Sequence, residues 1–182
     1  MSAPLQRIKE LDNELTRVFA DFQALAKTLD FQEICELSDE ATIAEQRYPG
    51  IYKIEMYADT SHASFERWYE WFHEQWVTAD YERMFVPNPR KKRVAAHRGK
   101  PLSPWVPIYL GKSRDVAGRV LGHIRLKLSQ PTTALKLAER VNMAGQRFRL
   151  STVRIEVVNY DLIVPQIEGA LRNYYNPILG RQ

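Results

Sequence analysis

The stretches PGIYKI at residues 49–54 and PIYLGKS at residues 107–113 decide the fold of this chain. β-Branched and aromatic residues follow the turn signal Tyr48-Pro49-Gly50 in the first stretch, and residues 105–109 follow Pro104 in the second, which is typical of strands beside turns. We therefore expect strands at residues 51–56 and 105–109. Residues 148–158 predict a third strand, because Val153, Ile155 and Val157 alternate with polar residues there.

Apolar residues at helical spacing lie before, between and after these strands in the sequence. The pattern predicts helices at 5–29, 31–47, 62–78, 115–128 and 132–143, and a final helix with Pro165 in its first turn that Asn176-Pro177 ends. The expected architecture is a mixed α+β domain at residues 48–182, with an N-terminal helical extension at 1–47. A large insertion at 57–104 separates the first two strands.

Length and composition restrict the class of protein. At 182 residues and 45% hydrophobic composition, the chain fits one domain with a helical extension. No apolar run approaches the length of a membrane span, and acidic residues stand where a signal peptide would be apolar. The single cysteine, Cys35, can form neither an internal disulfide nor a thiolate zinc site. We expect a cytoplasmic protein without a membrane partner.

Charge is distributed unevenly along the chain. Residues 1–85 hold 8 Lys+Arg against 17 Asp+Glu, whereas residues 86–182 hold 18 against 5, a net charge of −9 followed by +13. A basic half of this size favours a polyanionic partner, of which nucleic acid is the commonest. The alternative is a protein with uneven surface charge and no such partner.

The first helix carries a heptad seam. From Ile8 onward its apolar residues are spaced alternately by three and four, at Ile8, Leu11, Leu15, Val18, Phe22, Leu25 and Leu29. Such a seam either covers the core of its own protein or pairs with a second copy. We expect the first use, and a homodimer is the alternative.

A basic segment lies within the insertion. It contains no acid between Pro89 and Pro101, and its cations are Arg90, Lys91, Lys92, Arg93, Arg98 and Lys100. We expect a loop or ribbon that contacts DNA phosphates, with a merely solvated loop as the alternative. The aromatic residues of 62–78 are expected in the core rather than as base-stacking groups.

Common cofactor motifs are missing from the sequence. One cysteine, four histidines and no HExxH, GxGxxG or GxxxxGK[ST] string exclude the usual zinc and nucleotide sites. Among the few acids of the basic half, Glu168 falls on the apolar side of the last helix. An acid there needs a cation, either a metal ion or one of the arginines.

The order of four features resembles the GIY-YIG nucleases. Gly50-Ile51-Tyr52 is the first motif literally, and Tyr109-Leu110-Gly111 is a conservative variant of the second. Arg119 with His123 four residues later follows on a predicted helix, and Glu168 lies on the last helix. The resemblance covers roughly residues 48–180.

The resemblance implies a small three-stranded antiparallel sheet flanked by helices, and phosphodiester hydrolysis in DNA with one Mg²⁺ or Mn²⁺ ion held by Glu168. Tyr52 and Tyr109 would lie at the site, one of them as general base or water organiser, with Arg119 and the metal lowering its pKa. Arg119 would steady the phosphate, and His123 would hydrogen-bond a motif tyrosine. Lys112 resembles the lysine of restriction-type members that holds the scissile phosphate or assists the water.

Two features depart from the family. The connection between the first two strands is normally short, so we expect the insertion to recognise the target. The family also tends to place an asparagine where this chain has Gly180, and Asn176 or Asn173 is the candidate replacement.

These observations predict a metal-dependent DNA endonuclease, and the leading interpretation is a type II restriction enzyme that acts on double-stranded DNA. The alternatives are a structure-selective nuclease of repair, recombination or mobile-element defence, and a non-catalytic nucleic-acid-binding module that retains the fold.

Overall fold

The computed structural model describes residues 3–59, 61–78, 81 and 86–180, so residues 60, 79, 80 and 82–85 of the expected insertion lie outside it. The elements are α1 (Ala3–Ala26), β1 (Gln32–Glu36), α2 (Glu40–Ala44), β2 (Gly50–Tyr57), α3 (Phe65–Trp76), α4 (Lys91–Ala95), β3 (Trp105–Ser113), α5 (Val116–Arg125), β4 (Phe148–Arg154) and α6 (Tyr160–Tyr175). Helices and strands together form the mixed α+β architecture that the sequence predicts.

The sheet is antiparallel and has four strands in the order β1-β4-β2-β3. The three predicted strands are confirmed as β2, β3 and β4. The prediction of a three-stranded sheet is wrong, because β1 pairs with the outer edge of β4.

Strand β1 also corrects the prediction of a helix at 31–47. The register with β4 shifts between Glu33 and Cys35, and this bulge lets the adjacent residues Ile34 and Cys35 both pack against the same core. Two neighbouring side chains on one face break the alternation by which a strand is recognised. Only the second half of the segment is helical, and there the Asp39 side chain accepts a hydrogen bond from the backbone N–H of Thr42 to begin α2.

The predicted helix at 132–143 is wrong. The segment instead contains two 3-10 turns, Leu137–Glu139 and Val141–Met143. Lys136 interrupts any longer helix because its φ is 58°, in the left-handed region. Its buried ammonium donates to the carbonyl oxygens of Leu128 and Gln130, which fixes the loop after α5.

Helix α6 begins earlier than predicted, and Pro165 lies within it rather than in its first turn. The helix ends at Asn176 in the left-handed conformation, as the Asn-Pro pair indicates. The basic segment is not wholly a loop, since it contains the short helix α4.

Alternate residues of β2 enter two cores. Tyr52, Ile54 and Met56 pack on one face of the sheet with the aromatic residues of α3, which confirms that Phe65, Trp68, Phe72 and Trp76 are core residues. Ile51 packs on the other face, against α6 and the end of α1. No described helix is long and apolar enough to cross a membrane.

Helix α1 extends away from this body. Every residue from 3 to 18 is exposed, and the helix packs against α6 only near its end, where Ala26 is buried and Phe22 is partly buried. The prediction that the seam covers the protein's own core therefore holds only for its last turns.

Candidate active site

Four elements bring the predicted catalytic residues to one open cavity of about 470 Å³. Tyr52 comes from β2, Tyr109 and Lys112 from β3, Arg119 from α5 and Glu168 from α6. The remaining lining residues are Gly111, Pro131, Thr132, Thr133 and Arg172. Of the six predicted catalytic residues, only His123 lies behind the cavity wall rather than in it.

The register of β2 and β3 brings the two motif tyrosines together. Tyr52 pairs with Gly111 and Ile54 pairs with Tyr109, so both tyrosines lie on the same face of adjacent strands. Their rings are stacked, with centroids 6.1 Å apart and planes inclined by 20°.

Steric crowding explains why glycine stands at both motif positions, Gly50 and Gly111. A Cβ on Gly111 would lie 2.5 Å from the hydroxyl oxygen of Tyr52 and 2.9 Å from the ring of Tyr109. A Cβ on Gly50 would lie 2.3 Å from the carbonyl oxygen of Val153 on β4. Gly111 therefore lets the two tyrosines approach each other across the sheet, and Gly50 lets β2 pair closely with β4.

His123 is completely buried against Tyr52, with 2.9 Å between its Nε2 and the tyrosine oxygen. Its other ring nitrogen, Nδ1, accepts a hydrogen bond of 3.0 Å from the backbone N–H of Leu135. Burial, with a contribution from Arg119, holds the pKa of His123 well below its usual value, so the ring is neutral. A neutral ring that accepts at Nδ1 carries its proton on Nε2, and His123 therefore donates to Tyr52.

The electrostatics of Tyr52 correct one expectation. Burial, together with neighbouring Tyr109, raises the pKa of Tyr52 well above its usual value, and this outweighs the opposing effect of Arg119. Arg119 therefore does not by itself make the Tyr52 hydroxyl a ready base at neutral pH, and the contribution expected of a bound metal ion stays a prediction.

Arg119 projects from α5, which Asp115 begins by accepting a hydrogen bond from the backbone N–H of Gly118. The guanidinium donates through Nη2 to the carbonyl oxygen of Thr133 at 2.6 Å. Burial lowers the pKa of Arg119, but interactions with Tyr52 and Tyr109 outweigh it, so the pKa is raised overall. The side chain is thus a fixed cation at the cavity wall.

Glu168 is 8% exposed and forms an ion pair with Arg172, one helical turn further along α6, at 2.7 Å. The arginine partner weighed in the sequence analysis is therefore present. A metal ion remains compatible, because Mg²⁺ commonly binds through one carboxylate and keeps water and phosphate oxygens as its other ligands. Among the described residues, no three or more His, Cys, Asp and Glu side chains cluster as a metal site, so Glu168 would be the anchoring ligand.

The basic segment divides into two groups. Arg90 donates to the carbonyl oxygen of Gly180 at 2.6 Å, and Arg93 donates to the carbonyl oxygen of Arg172 and to the side chain of Asn176. Arg93 thus attaches the segment to the end of α6, beside the cavity, and Arg90 attaches it to the chain that follows α6. The four cations that stay exposed are Lys91, Lys92, Arg98 and Lys100.

Asn176 and Asn173 do not line the cavity. The Asn176 side chain accepts from Arg93 and donates to the carbonyl oxygens of Asn173 and Tyr174, so its amide closes the end of α6. Gly180 has a φ of 133°, which favours glycine over asparagine at that position.

Sequence reasoning missed Arg172 and the loop Pro131–Thr133. The spacing of four between Glu168 and Arg172 could have identified the arginine as a helical ion pair. No local pattern indicates the loop, which reaches the cavity only because α5 ends at Arg125 and Lys136 holds the chain that follows.

A larger cavity of about 760 Å³ lies between α3 and α4. Its walls combine three acids of α3, Glu66, Glu70 and Glu74, with two cations of the basic segment, Lys91 and Arg98, so the cavity lacks the excess of positive charge that favours phosphate. Its size therefore does not make it the better candidate for a nucleic-acid site.

No protein-family model, no curated protein and no solved structure matches this chain.

Proposed function

We propose that this protein is a divalent-metal-dependent endodeoxyribonuclease that hydrolyses phosphodiester bonds in double-stranded DNA. The observation that carries the proposal is the meeting of Tyr52, Tyr109, Lys112, Arg119 and Glu168 at one cavity, although they come from four elements spread over more than a hundred residues. Three cations, Lys112, Arg119 and Arg172, face a single carboxylate there, which suits a phosphate group together with one metal ion.

In this reaction, the oxygen of a water molecule forms a bond to phosphorus, the bond from phosphorus to a sugar oxygen breaks, and the proton that the water loses reaches the leaving oxygen through solvent. A metal ion held by Glu168 would stabilise the leaving oxygen and the charge of the transition state. Arg119, fixed by Thr133, supplies a preorganised positive charge to the phosphate oxygens. Lys112 lines the same cavity and contributes a second cation to the scissile phosphate.

Tyr52 acts as an organiser of the site rather than as its base. His123 donates to the Tyr52 oxygen, so the tyrosine's own proton remains available for a hydrogen bond into the cavity. Tyr109 and Lys112, which also line the cavity, are assigned to orient the attacking water. His123 lies outside the cavity lining and acts through its hydrogen bond to Tyr52, so it is a positioning residue.

Within this class, a type II restriction endonuclease is the finer assignment. The insertion supports it, because Arg93 attaches the exposed cations of the basic segment to α6 next to the cavity. Such cations would lie against the DNA backbone and bring other residues of the insertion to the bases. Cleavage of plasmid DNA into discrete fragments tests this assignment, whereas a structure-selective nuclease would leave relaxed linear DNA intact and cut branched DNA.

Paired variants test the activity itself. We expect the full chain to cut plasmid DNA with Mg²⁺ or Mn²⁺, and Glu168→Gln to abolish cutting while DNA binding and folding remain. Glu156→Gln is the matched control, because Glu156 is exposed and pairs with Arg154 outside the cavity. Arg119→Ala should lower the rate by about 10²-fold or more, unlike Arg125→Ala on the same helix.

Cutting by Glu168→Gln would contradict the role of this residue. DNA binding by the unaltered chain without cleavage of any plasmid or branched substrate would instead identify a non-catalytic nucleic-acid-binding module.

A further inference from the structure

The part of α1 that extends from the body is unsupported on all sides. Residues 3–18 are exposed at every position and span about 24 Å of helix. Isolated helices of this length are marginally stable in water, and most helical stability comes from packing of an apolar face. A stable helix at residues 3–18 therefore needs a packing partner, which the described part of this chain does not provide.

The apolar face of the segment is continuous. Its side chains are between 38% and 60% exposed at Leu5, Ile8, Leu11, Leu15 and Val18. From Ile8 their spacing follows a seven-residue repeat, with Ile8 and Leu15 at one seam position and Leu11 and Val18 at the other. A repeat of 3.5 residues selects a second helix with the same repeat, because only such a helix keeps the seam in contact along its length.

The net charge of residues 3–18 indicates which kind of partner this segment binds. Residues 3–18 carry three basic and three acidic side chains, namely Arg7, Lys9, Arg17, Glu10, Asp12 and Glu14. A helix that lies on an anionic lipid surface or on DNA would carry a net positive charge. A neutral helix gains nothing from either surface and pairs with a copy of itself without net repulsion.

We propose that residues 3–18 of α1 form a parallel two-stranded coiled coil with the same segment of a second copy of this chain. In the parallel arrangement, Arg7 of each helix faces Asp12 of the other across the edge of the seam. In the antiparallel arrangement that superposes Leu11 on Leu15, Asp12 would face Asp12 and Glu14 would face Glu14. The parallel pair therefore avoids the like charges that this antiparallel register would bring together.

The dimer does not depend on the proposed function. It would place two bodies at the same end of the coiled coil, each with its own cavity. If each cavity cuts one strand, this arrangement supplies the two sites that double-strand cleavage requires.

Light scattering on the full chain tests the proposal. We expect the mass of two chains, which falls to the mass of one in Leu11→Glu with Leu15→Glu. The matched control is Asn13→Glu with Ala20→Glu, which adds the same charge on the opposite face of α1 and should remain dimeric. A monomeric native chain, or a dimer that survives the Leu11 and Leu15 changes, would overturn the proposal.

Cross-linking tests the orientation. In a Cys35→Ser background, Leu11→Cys should form a disulfide-linked dimer on mild oxidation, because residue 11 meets its own copy only in the parallel arrangement. Asn13→Cys, on the outer face, should remain uncross-linked. A mixture of Leu11→Cys and Leu15→Cys chains that cross-links only between unlike chains would show an antiparallel pair and refute the parallel one.

Discussion

At the scale of single residues, the tautomer of His123 is set by a backbone group. The N–H of Leu135 occupies Nδ1, and so the proton of the neutral ring points to Tyr52. Leu135 belongs to the loop after α5 that Lys136 holds in place. The hydrogen bond that orients Tyr52 therefore depends on this loop as well as on the Gly50-Ile51-Tyr52 motif. The same loop supplies Thr133, which holds Arg119.

The depressed pKa of His123 predicts a pH dependence of stability. The unfolded chain binds a proton at this histidine near its ordinary pKa of about 6.5, whereas the folded chain does not. The free energy of unfolding should therefore be constant above that pH and fall as the pH decreases below it, by up to about 1.4 kcal/mol per unit. Urea unfolding at several pH values should show a shallower slope in His123→Gln, and the exposed His73→Gln should retain the native slope.

The ion pair between Glu168 and Arg172 predicts an effect on metal affinity. A guanidinium 2.7 Å from the carboxylate competes with a divalent cation for the same oxygen atoms. We expect Arg172→Gln to bind Mn²⁺ about tenfold more tightly by calorimetry, since the amide still donates a hydrogen bond but carries no charge, and tenfold equals about 1.4 kcal/mol. Arg125→Gln should leave the affinity unchanged. Weaker binding in Arg172→Gln would show instead that the arginine orients the carboxylate for the metal.

The close approach of Gly111 and Tyr52 predicts that substitutions at these two positions have coupled effects on the free energy of unfolding. Gly111→Ala forces a Cβ against the Tyr52 hydroxyl and should lower the free energy of unfolding by about 1–3 kcal/mol. Tyr52→Phe removes the nearest clashing atom, so Gly111→Ala should cost less in that background, as a double-mutant cycle in urea will measure. Gly169→Ala, where a Cβ meets nothing within 4 Å, should be neutral or stabilising because it lies within a helix. Equal costs of Gly111→Ala in both backgrounds would contradict the steric explanation.

At the scale of elements, the basic segment combines two roles that its sequence does not separate. Arg93 donates to a carbonyl oxygen at the end of α6 and Arg90 donates to that of Gly180, whereas the other four cations are exposed. A run of basic residues with no acid predicts a cationic surface. Only the fold reveals which of these cations form hydrogen bonds within the protein and which face solvent.

This division predicts different effects of substitution. Alanine at Lys91, Lys92, Arg98 and Lys100 together should weaken DNA binding and reduce the slope of log K against log salt by about two or more, with little loss of stability. Alanine at Lys9, Arg17, Lys27 and Arg67, four exposed cations elsewhere, should leave the slope unchanged. Arg93→Ala should chiefly destabilise the fold, by about 1–2 kcal/mol. An unchanged slope in the first variant would mean that the segment does not contact DNA.

The elements that the sequence predicts well are those with an uninterrupted local pattern. Strands β2 and β3 lie where their apolar and aromatic residues indicate, and α3 and α5 have capping residues at Ser64 and Asp115 that mark where each begins. The errors arise where tertiary contacts prevail, as at the bulge of β1 and at left-handed Lys136. Of the candidate site, the residues on regular elements could be predicted, whereas Arg172 and the Pro131–Thr133 loop depend on packing between elements.

At the scale of the whole molecule, the acidic and basic halves of the sequence are not separate in space. Strand β2 belongs to the acidic half but lies between β3 and β4 of the basic half. Ion pairs join the halves, and they connect Glu33 and Glu55 with Arg149, Glu36 with Arg147, and Glu40 with Arg125. Part of the positive charge of the basic half is thus neutralised by acids of the other half, and the charge that remains for a polyanion is smaller than the sequence alone indicates.

These ion pairs differ greatly in burial, and this difference yields the last prediction. The Glu55 side chain is 7% exposed and pairs with both Lys53 and Arg149, whereas the Glu36 and Arg147 side chains are 39% and 54% exposed. Glu55→Gln leaves the poorly hydrated Lys53 ammonium beside a neutral group and removes one of the two carboxylates that pair with Arg149, so it should lower the free energy of unfolding by about 3 kcal/mol.

Glu36→Gln breaks only a hydrated pair and should cost about 1 kcal/mol or less. Guanidinium unfolding would screen both effects, so urea at low ionic strength is the suitable measurement. Because Glu55 lies outside the cavity, the folded Glu55→Gln protein should retain the native rate of DNA cleavage at a temperature well below its midpoint. Equal losses of stability in the two variants would mean that burial does not decide the strength of the pairs that join the two halves of the chain.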